Sequence, residues 1–92
     1  MMNNGLMDDL LAAARDAAQA GDVPVAAAIV APDGTVVTLE TNRMVRDGNA
    51  LHHAEILAIN AALAKTGMSR LDGYDLWVTL EPVSYTHLRA HE

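Results

Sequence analysis

The residues best suited to chemistry in this 92-residue chain are His53 and Glu55, in the triplet His53-Ala54-Glu55. A neutral imidazole can ligate Zn²⁺, and a carboxylate close to it can carry protons between a metal-bound water and a leaving group. Residues two apart do not share a helix face. The two side chains can therefore meet one small molecule only from the first turn of a helix, with the site beyond its end. Asn49 has the side chain of an N-cap and is expected to start such a helix. The positive end of the helix dipole would then favour anionic partners such as thiolate or hydroxide. Taken alone the triplet says little, because His-x-Glu is common by chance and reads first as a pair on a helix surface. His52 beside it reads as an accessory first-turn residue, with a decoy ligand as the alternative, and Asn42 by itself reads as a turn residue.

The elements that would have to position these residues are legible from periodicity and turn chemistry. Leu6, Leu10, Leu11, Ala14, Ala17 and Ala18 recur at helical spacing, with Gly21 at the expected C-terminal stop. Val25 to Val30 is a short apolar run between Pro24 and Pro32-Asp33-Gly34, which favours a buried strand. Thr35 to Thr41, with its β-branched residues, is expected to complete a hairpin across that turn. A polar loop, Asn42 to Gly48, leads to the second helix, which stops at Gly67. That helix is apolar on nearly every side between Ala54 and Ala64, the signature of a helix lying between layers. Asp72-Gly73 marks a turn, and Leu76 to Leu80 reads as a third strand. The order α-β-β-α-β, with a final step long enough for a parallel right-handed crossover, describes a layered α/β sandwich.

Composition sets wider bounds. Twelve acidic against six basic residues give a net charge of −6, which gives no support to nucleic-acid binding by this portion of the chain. The length fits one small domain. No cysteine is present, so a disulfide framework is excluded. No basic-then-apolar leader is readable, and no apolar run approaches the roughly 18 residues a membrane helix requires. A soluble, cytoplasmic protein that does not engage membranes is the expectation.

Context gives the triplet its meaning. Asp22-Val23-Pro24-Val25, Asn42-Arg43, His53-Ala54-Glu55-Ile56, Leu71-Asp72-Gly73 and Val78-Thr79-Leu80-Glu81-Pro82 follow one another in order. From about Leu6 to Pro82 the chain resembles the N-terminal part of the zinc-dependent cytidine/deoxycytidylate deaminase superfamily, and within it the bacterial tRNA adenosine deaminases. That class is marked by a His-x-Glu followed by Pro-Cys-x-x-Cys around zinc. The resemblance implies a three-layer α/β/α sandwich cut short after the third strand. It also implies His53 as a zinc ligand, Glu55 as general acid/base, Asn42 as a contact to the base or its ribose, and Pro82 as the residue before the first cysteine ligand. It further implies a Zn²⁺ cofactor, a tRNA or a small nucleobase or nucleoside as substrate, and a homodimer. The thiolate positions fall on Val83 and Thr86, whose side chains cannot serve. Two smaller departures are Ala26, where the family has glycine, expected to tighten the pocket floor, and Asn49-Ala50-Leu51-His52, where Asp-Pro-Thr-Ala is common. The latter shifts weight from tRNA towards free cytosine, guanine or nucleosides.

The match fails at once after Pro82. Residues 83–92, from Val83 to Glu92, resemble the peptide read when sequencing-adapter DNA is translated at a fragment end. On that reading residues 1–82 are the N-terminal part of a deaminase domain, and the natural frame continues with Pro-Cys-x-x-Cys and further helices and strands. The non-enzyme alternative is a zinc-less pseudo-deaminase acting as a binding module, in which His87 and His91, at i, i+4, would join His53 as replacement ligands.

Overall fold

The computed structural model describes residues 5–79 and the backbone of residues 87–88. Helix α1 (Leu6–Gln19) leads to β1 (Ala26–Val30) and β2 (Val36–Thr41). A single helical turn, α2 (Met44–Asp47), and the longer α3 (Ala54–Thr66) come next, followed by the short strands β3 (Leu71–Asp72), β4 (Asp75–Val78) and β5 (His87–Leu88). The main sheet has the order β2-β1-β4, and β1 is antiparallel to both neighbours. Strands β2 and β4 thus run parallel to each other with β1 between them. The expected crossover through α3 is present in direction, but it steps over the central strand instead of pairing with its starting strand.

The sheet is sandwiched, as its central strand foretells. All five residues of β1 are buried. Ala26, Ala28 and Val30 pack with Leu6, Leu10 and Ala14 of α1, while Ala27 and Ile29 pack with Ala54, Ala58 and Ala62 of α3. Alternate side chains enter opposite layers, so a strand covered on both faces loses the apolar/polar alternation of a half-exposed one. The two helices cover it differently. α1 is amphipathic and sends large side chains inward, with Leu6 and Leu10 almost wholly buried. α3 sends an alanine row at i, i+4, i+8, and the small side chains let its backbone lie close to the sheet. Thr38 Oγ1 of β2 reaches the Ala58 carbonyl of α3 and donates to it at 2.9 Å.

Turns fall where the sequence places them. The hairpin closes through Pro32-Asp33-Gly34, with the Ala31 N–H donating to Thr35 O at 2.8 Å and the Thr35 N–H to Asp33 Oδ1 at 2.9 Å. α3 ends at Gly67, whose φ of 73° is costly for any residue with a Cβ. One irregularity escaped sequence reading. The β1–β2 register shifts between Ile29, opposite Thr38, and Val30, opposite Val36, leaving Val37 as an extra residue. This bulge puts Val36 and Leu39, an odd three positions apart, on the α1 side together, and frees Val37 for the α3 side.

Three expectations need correction. The loop from Asn42 to Gly48 contains the helical turn α2. The second helix starts at Ala54, with His53 as its N-cap residue, and Asn49 does not cap it. Asn49 Oδ1 accepts from the Leu51 N–H at 2.8 Å, a local Asx-type turn that holds the side chain four residues short of the helix. The stretch from Gly67 to Asp75 also holds β3, which pairs antiparallel with β5, so that His87 lies opposite Asp72.

Candidate active site

The antiparallel registers bring three chain segments to one end of the sheet. Ala26 lies opposite Thr41 at the end of β2, and Ala27 lies opposite Val78 at the end of β4. Thr79 prolongs the second ladder: its N–H donates to Ala26 O at 3.0 Å, and its Oγ1 accepts from the Ala26 N–H at 3.1 Å. The C-terminal ends of β2 and β4 therefore flank the start of β1. The start of α3 arrives at the same place through Asn42.

Asn42, the residue after β2, is buried. Its N–H donates to Val25 O at 3.1 Å, and its Oδ1 accepts from the Ala54 N–H at 2.7 Å. Ala54 is the first residue of α3, so a side chain twelve positions upstream takes one of the helix's orphan donors. The N-cap residue itself makes no side-chain capping bond, and His53 is exposed. Its carbonyl accepts the first helical bond, from Leu57 at 2.9 Å. Glu55 follows in the first turn, half-buried. His53 and Glu55 thus flank one helix end, as the spacing argument required, although the helix begins later than Asn49 implied.

A second set of contacts holds the Asn42 loop. The Asp22 side chain is fully buried, and its two oxygens accept from the Val45 N–H at 2.7 Å and from Arg46 Nε at 2.6 Å. Burial raises the Asp22 carboxyl pKa, but the Arg46 hydrogen bond and the backbone N–H groups of α2 outweigh it and hold the group below its ordinary range. The same guanidinium donates to Asn42 O at 2.6 Å and to Thr41 Oγ1 at 3.0 Å. Nearer the surface, Asp47 accepts from Arg43 Nε at 3.1 Å and meets His52 Nδ1 at 2.8 Å. Arg43 first and His52 second depress the Asp47 pKa. The Arg43 N–H also donates to His52 O at 2.9 Å, tying the two ends of the loop.

The structure brings His53, Glu55 and Asn42, the residues singled out from sequence, to one helix end, together with Asp22, Arg46 and Thr79, which sequence reasoning did not single out. Asp22 and Thr79 fall within the ordered motifs but carry no signal of a buried role, and Arg46 sits in a loop with no periodicity to betray it. His52 precedes the helix and pairs with Asp47 through Nδ1, so it is not a first-turn residue. Ala26 packs towards α1, so its Cβ fills that core and does not tighten a pocket floor. Pro82, Val83, Thr86 and His91 lie outside the described residues. The backbone of His87 lies beside Asp72, next to the Gly73 turn that packs on Pro32, at the sheet end remote from His53. That placement does not bring His87 to His53 as a replacement ligand.

The described residues do not make a zinc centre. His53 is the one ligand of the expected set among the described residues, and these contain no group of three His, Cys, Asp or Glu able to hold a metal. Nor is any described helix long and apolar enough to cross a membrane.

Comparison with known proteins agrees with this geometry. A tRNA-specific adenosine deaminase of Agrobacterium fabrum is 41% identical over 76 residues, which cover 83% of this chain and 49% of that protein. A tRNA(Ile)-lysidine synthase of Deinococcus deserti is also 41% identical over 76 residues, but these are 14% of its length. The chain thus spans about half the length of the curated deaminases it matches, and far less of the synthase. Among solved structures, one from a study of A-to-I editing by tRNA:A34 deaminases superposes with a TM-score of 0.73 at 36% identity, covering 79% of this chain and 56% of that one. A guanine deaminase from Bacillus subtilis superposes with a TM-score of 0.74 at 28% identity, covering 84% and 50%. Residues 2–84 match the family described as the cytidine and deoxycytidylate deaminase zinc-binding region. With its three-layer sandwich and with His53, Glu55 and Asn42 gathered at one sheet end, the chain belongs to the cytidine and deoxycytidylate deaminase family.

Proposed function

We propose that this chain is the N-terminal part of a hydrolytic, zinc-dependent deaminase that converts adenosine to inosine in tRNA. The observation that carries the reading is the convergence at one sheet end of Asn42, of His53 with Glu55, and of Thr79, the last described residue before Glu81-Pro82. The 41% identity to a tRNA-specific adenosine deaminase supports the substrate class. The likeness to guanine deaminase supports a second reading, deamination of a free base, in the same chemistry.

Each residue has a role that its position allows. Glu55, half-buried in the first turn, takes up a proton from attacking water and returns it to the departing amine. His53 would hold the metal that the family uses once two further ligands are supplied, and Asn42 fixes the start of the helix that carries both and would contact the base or its ribose. Two thiolates are needed beside His53, and Val83 and Thr86 cannot supply them. The natural reading frame is accordingly proposed to run on from Pro82 into Cys-x-x-Cys, with residues 83–92 foreign to it and a homodimer as the assembled state.

Two measurements test this. The 92-residue chain should show no sub-micromolar Zn²⁺ site by isothermal titration, and finding one would refute the one-ligand account. Joining residues 1–82 to a family C-terminal half that begins with cysteine should restore inosine formation in a tRNA anticodon arm. In that chimera Glu55→Gln should keep zinc and lose turnover, since an amide cannot take up and return a proton, and His53→Ala should lose both. A folded, zinc-loaded chimera that deaminates no tRNA, guanine, cytosine or cytidine would defeat the catalytic reading. Turnover of a free base alone would leave the chemistry and change the substrate.

A further inference from the structure

Asn42 is held from behind, and the line of contacts that holds it starts at the far side of the loop. The Asp22 N–H donates to Ala17 O at 2.9 Å, which anchors the residue to the end of α1. Its carboxylate grips Arg46 Nε at 2.6 Å and the Val45 N–H at 2.7 Å. The Arg46 guanidinium then donates to Asn42 O at 2.6 Å and to Thr41 Oγ1 at 3.0 Å. Asn42 Oδ1 in turn accepts from the first N–H of α3 at 2.7 Å. Four consecutive links therefore join the end of α1 to the helix end that carries His53 and Glu55.

The chemistry of the middle link is specific. The Asp22 side chain is wholly out of solvent, whereas that of Arg46 is 27% exposed. A carboxylate so buried needs its charged partner, while the arginine could be satisfied by water. Arginine is needed for geometry as well as charge. Its planar fork reaches the carboxylate with one nitrogen and two oxygens on β2 and the loop with another, which a lysine ammonium on a flexible stem would not reproduce.

We propose that the Asp22–Arg46 pair is a positioning device for this site. It fixes the backbone of Asn42 so that the Asn42 side chain stays on the Ala54 N–H, and it thereby sets the aim of His53 and Glu55. Asp22 and Arg46 are positioning residues and touch no substrate. The consequence for catalysis rests on the deaminase reading above, but the positioning itself can be tested without it.

The test is residue-resolved amide hydrogen exchange on the full chain, comparing the native sequence with Arg46→Gln and Arg46→Lys. Arg46→Lys keeps a cation for Asp22 but not the fork, so protection of the Asn42 and Ala54 amides should fall about tenfold, the scale of one lost hydrogen bond of this kind. The amides of Ile29 and Ala62, within β1 and α3, should keep their protection in the same sample. Arg46→Gln should lower Ala54 at least as far. If it also lowers Ile29 and Ala62 by unpairing a buried carboxylate, the lysine variant decides. Loss confined to Asn42 and Ala54 in Arg46→Lys supports the proposal. Unchanged Ala54 protection, or a fall shared equally with Ile29 and Ala62, would overturn it and leave the pair as general stability. Because no turnover is measured, that failure is distinct from failure of the deaminase reading.

Discussion

At the start of α1 the chain relies on neighbours in sequence, whereas the start of α3 is assembled from distant parts. α1 follows Gly5, carries Asp8 and Asp9 in its first turn, and buries Leu6 at once against the sheet. Those acids suit the positive end of the helix dipole. α3 begins instead with an exposed histidine that makes no capping bond, and its first N–H is taken by buried Asn42, which Arg46 and Asp22 hold in place. The lesson is that a helix end can leave the side chain at its own cap position free. The capping duty then passes to another element.

The two helices differ in their packing too, and that contrast gives the largest expected effects. Leu10→Ala on the α1 side removes a fully buried side chain and should destabilise by about 2–5 kcal/mol, measured by chemical denaturation. On the α3 side the threat is the opposite. Ala58→Leu would force bulk between backbone and sheet where Ala58 has no exposure, at a cost of about 1–3 kcal/mol. Were Ala58→Leu neutral, the close approach of α3 through its alanine row would be wrong.

The helix ends themselves should separate by a smaller margin. Asn42→Ala should cost about 1–2 kcal/mol through the lost Ala54 bond, within the range for a cap. Asp8→Ala at the exposed start of α1 should cost about 0.3–1 kcal/mol, and the penalty should shrink with added salt. Equal losses at the two positions would erase the distinction between a local and a borrowed helix start.

The last effect is absent at neutral pH. Folding depresses the carboxyl pKa of Asp22, against its burial, through Arg46 and the α2 N–H groups, and that of Asp47 through Arg43 and His52. A group depressed in the folded state contributes stability above its unfolded value and loses it as pH falls through the folded one. Stability should therefore be flat with respect to these groups above the ordinary carboxylate range and decline below it. Asp22→Asn should flatten part of that acid limb in a pH series of denaturation midpoints, and an unchanged limb would show that the pair does not titrate with unfolding.

Local chemistry made much of this protein legible. The hairpin turn at Pro32-Asp33-Gly34 and the stop at Gly67 follow from φ preferences carried by single residues. Burial of β1 follows from an apolar run too short for a helix of its own, and the layering follows from the amphipathic α1 and the apolar α3. That His53 and Glu55 share one helix end was legible because they are two residues apart and close to the helix start. The start of that helix was misread, because Asn49 satisfies every local requirement of a cap and loses to Asn42, whose claim depends on β2 ending beside it. The bulge at Val37, the remote grip of Asp22 on Arg46 and the inward-facing Ala26 were equally invisible, since each depends on register between strands or on which layer a residue enters. The sequence by itself determined α1, the β1–β2 hairpin, α3 and β4, their order and the residue types that could do chemistry, because these depend on neighbours along the chain. Only the tertiary structure decided how the site is held, because a hydrogen bond from residue 42 to residue 54, or from 46 to 22, exists only once the sheet has brought them together.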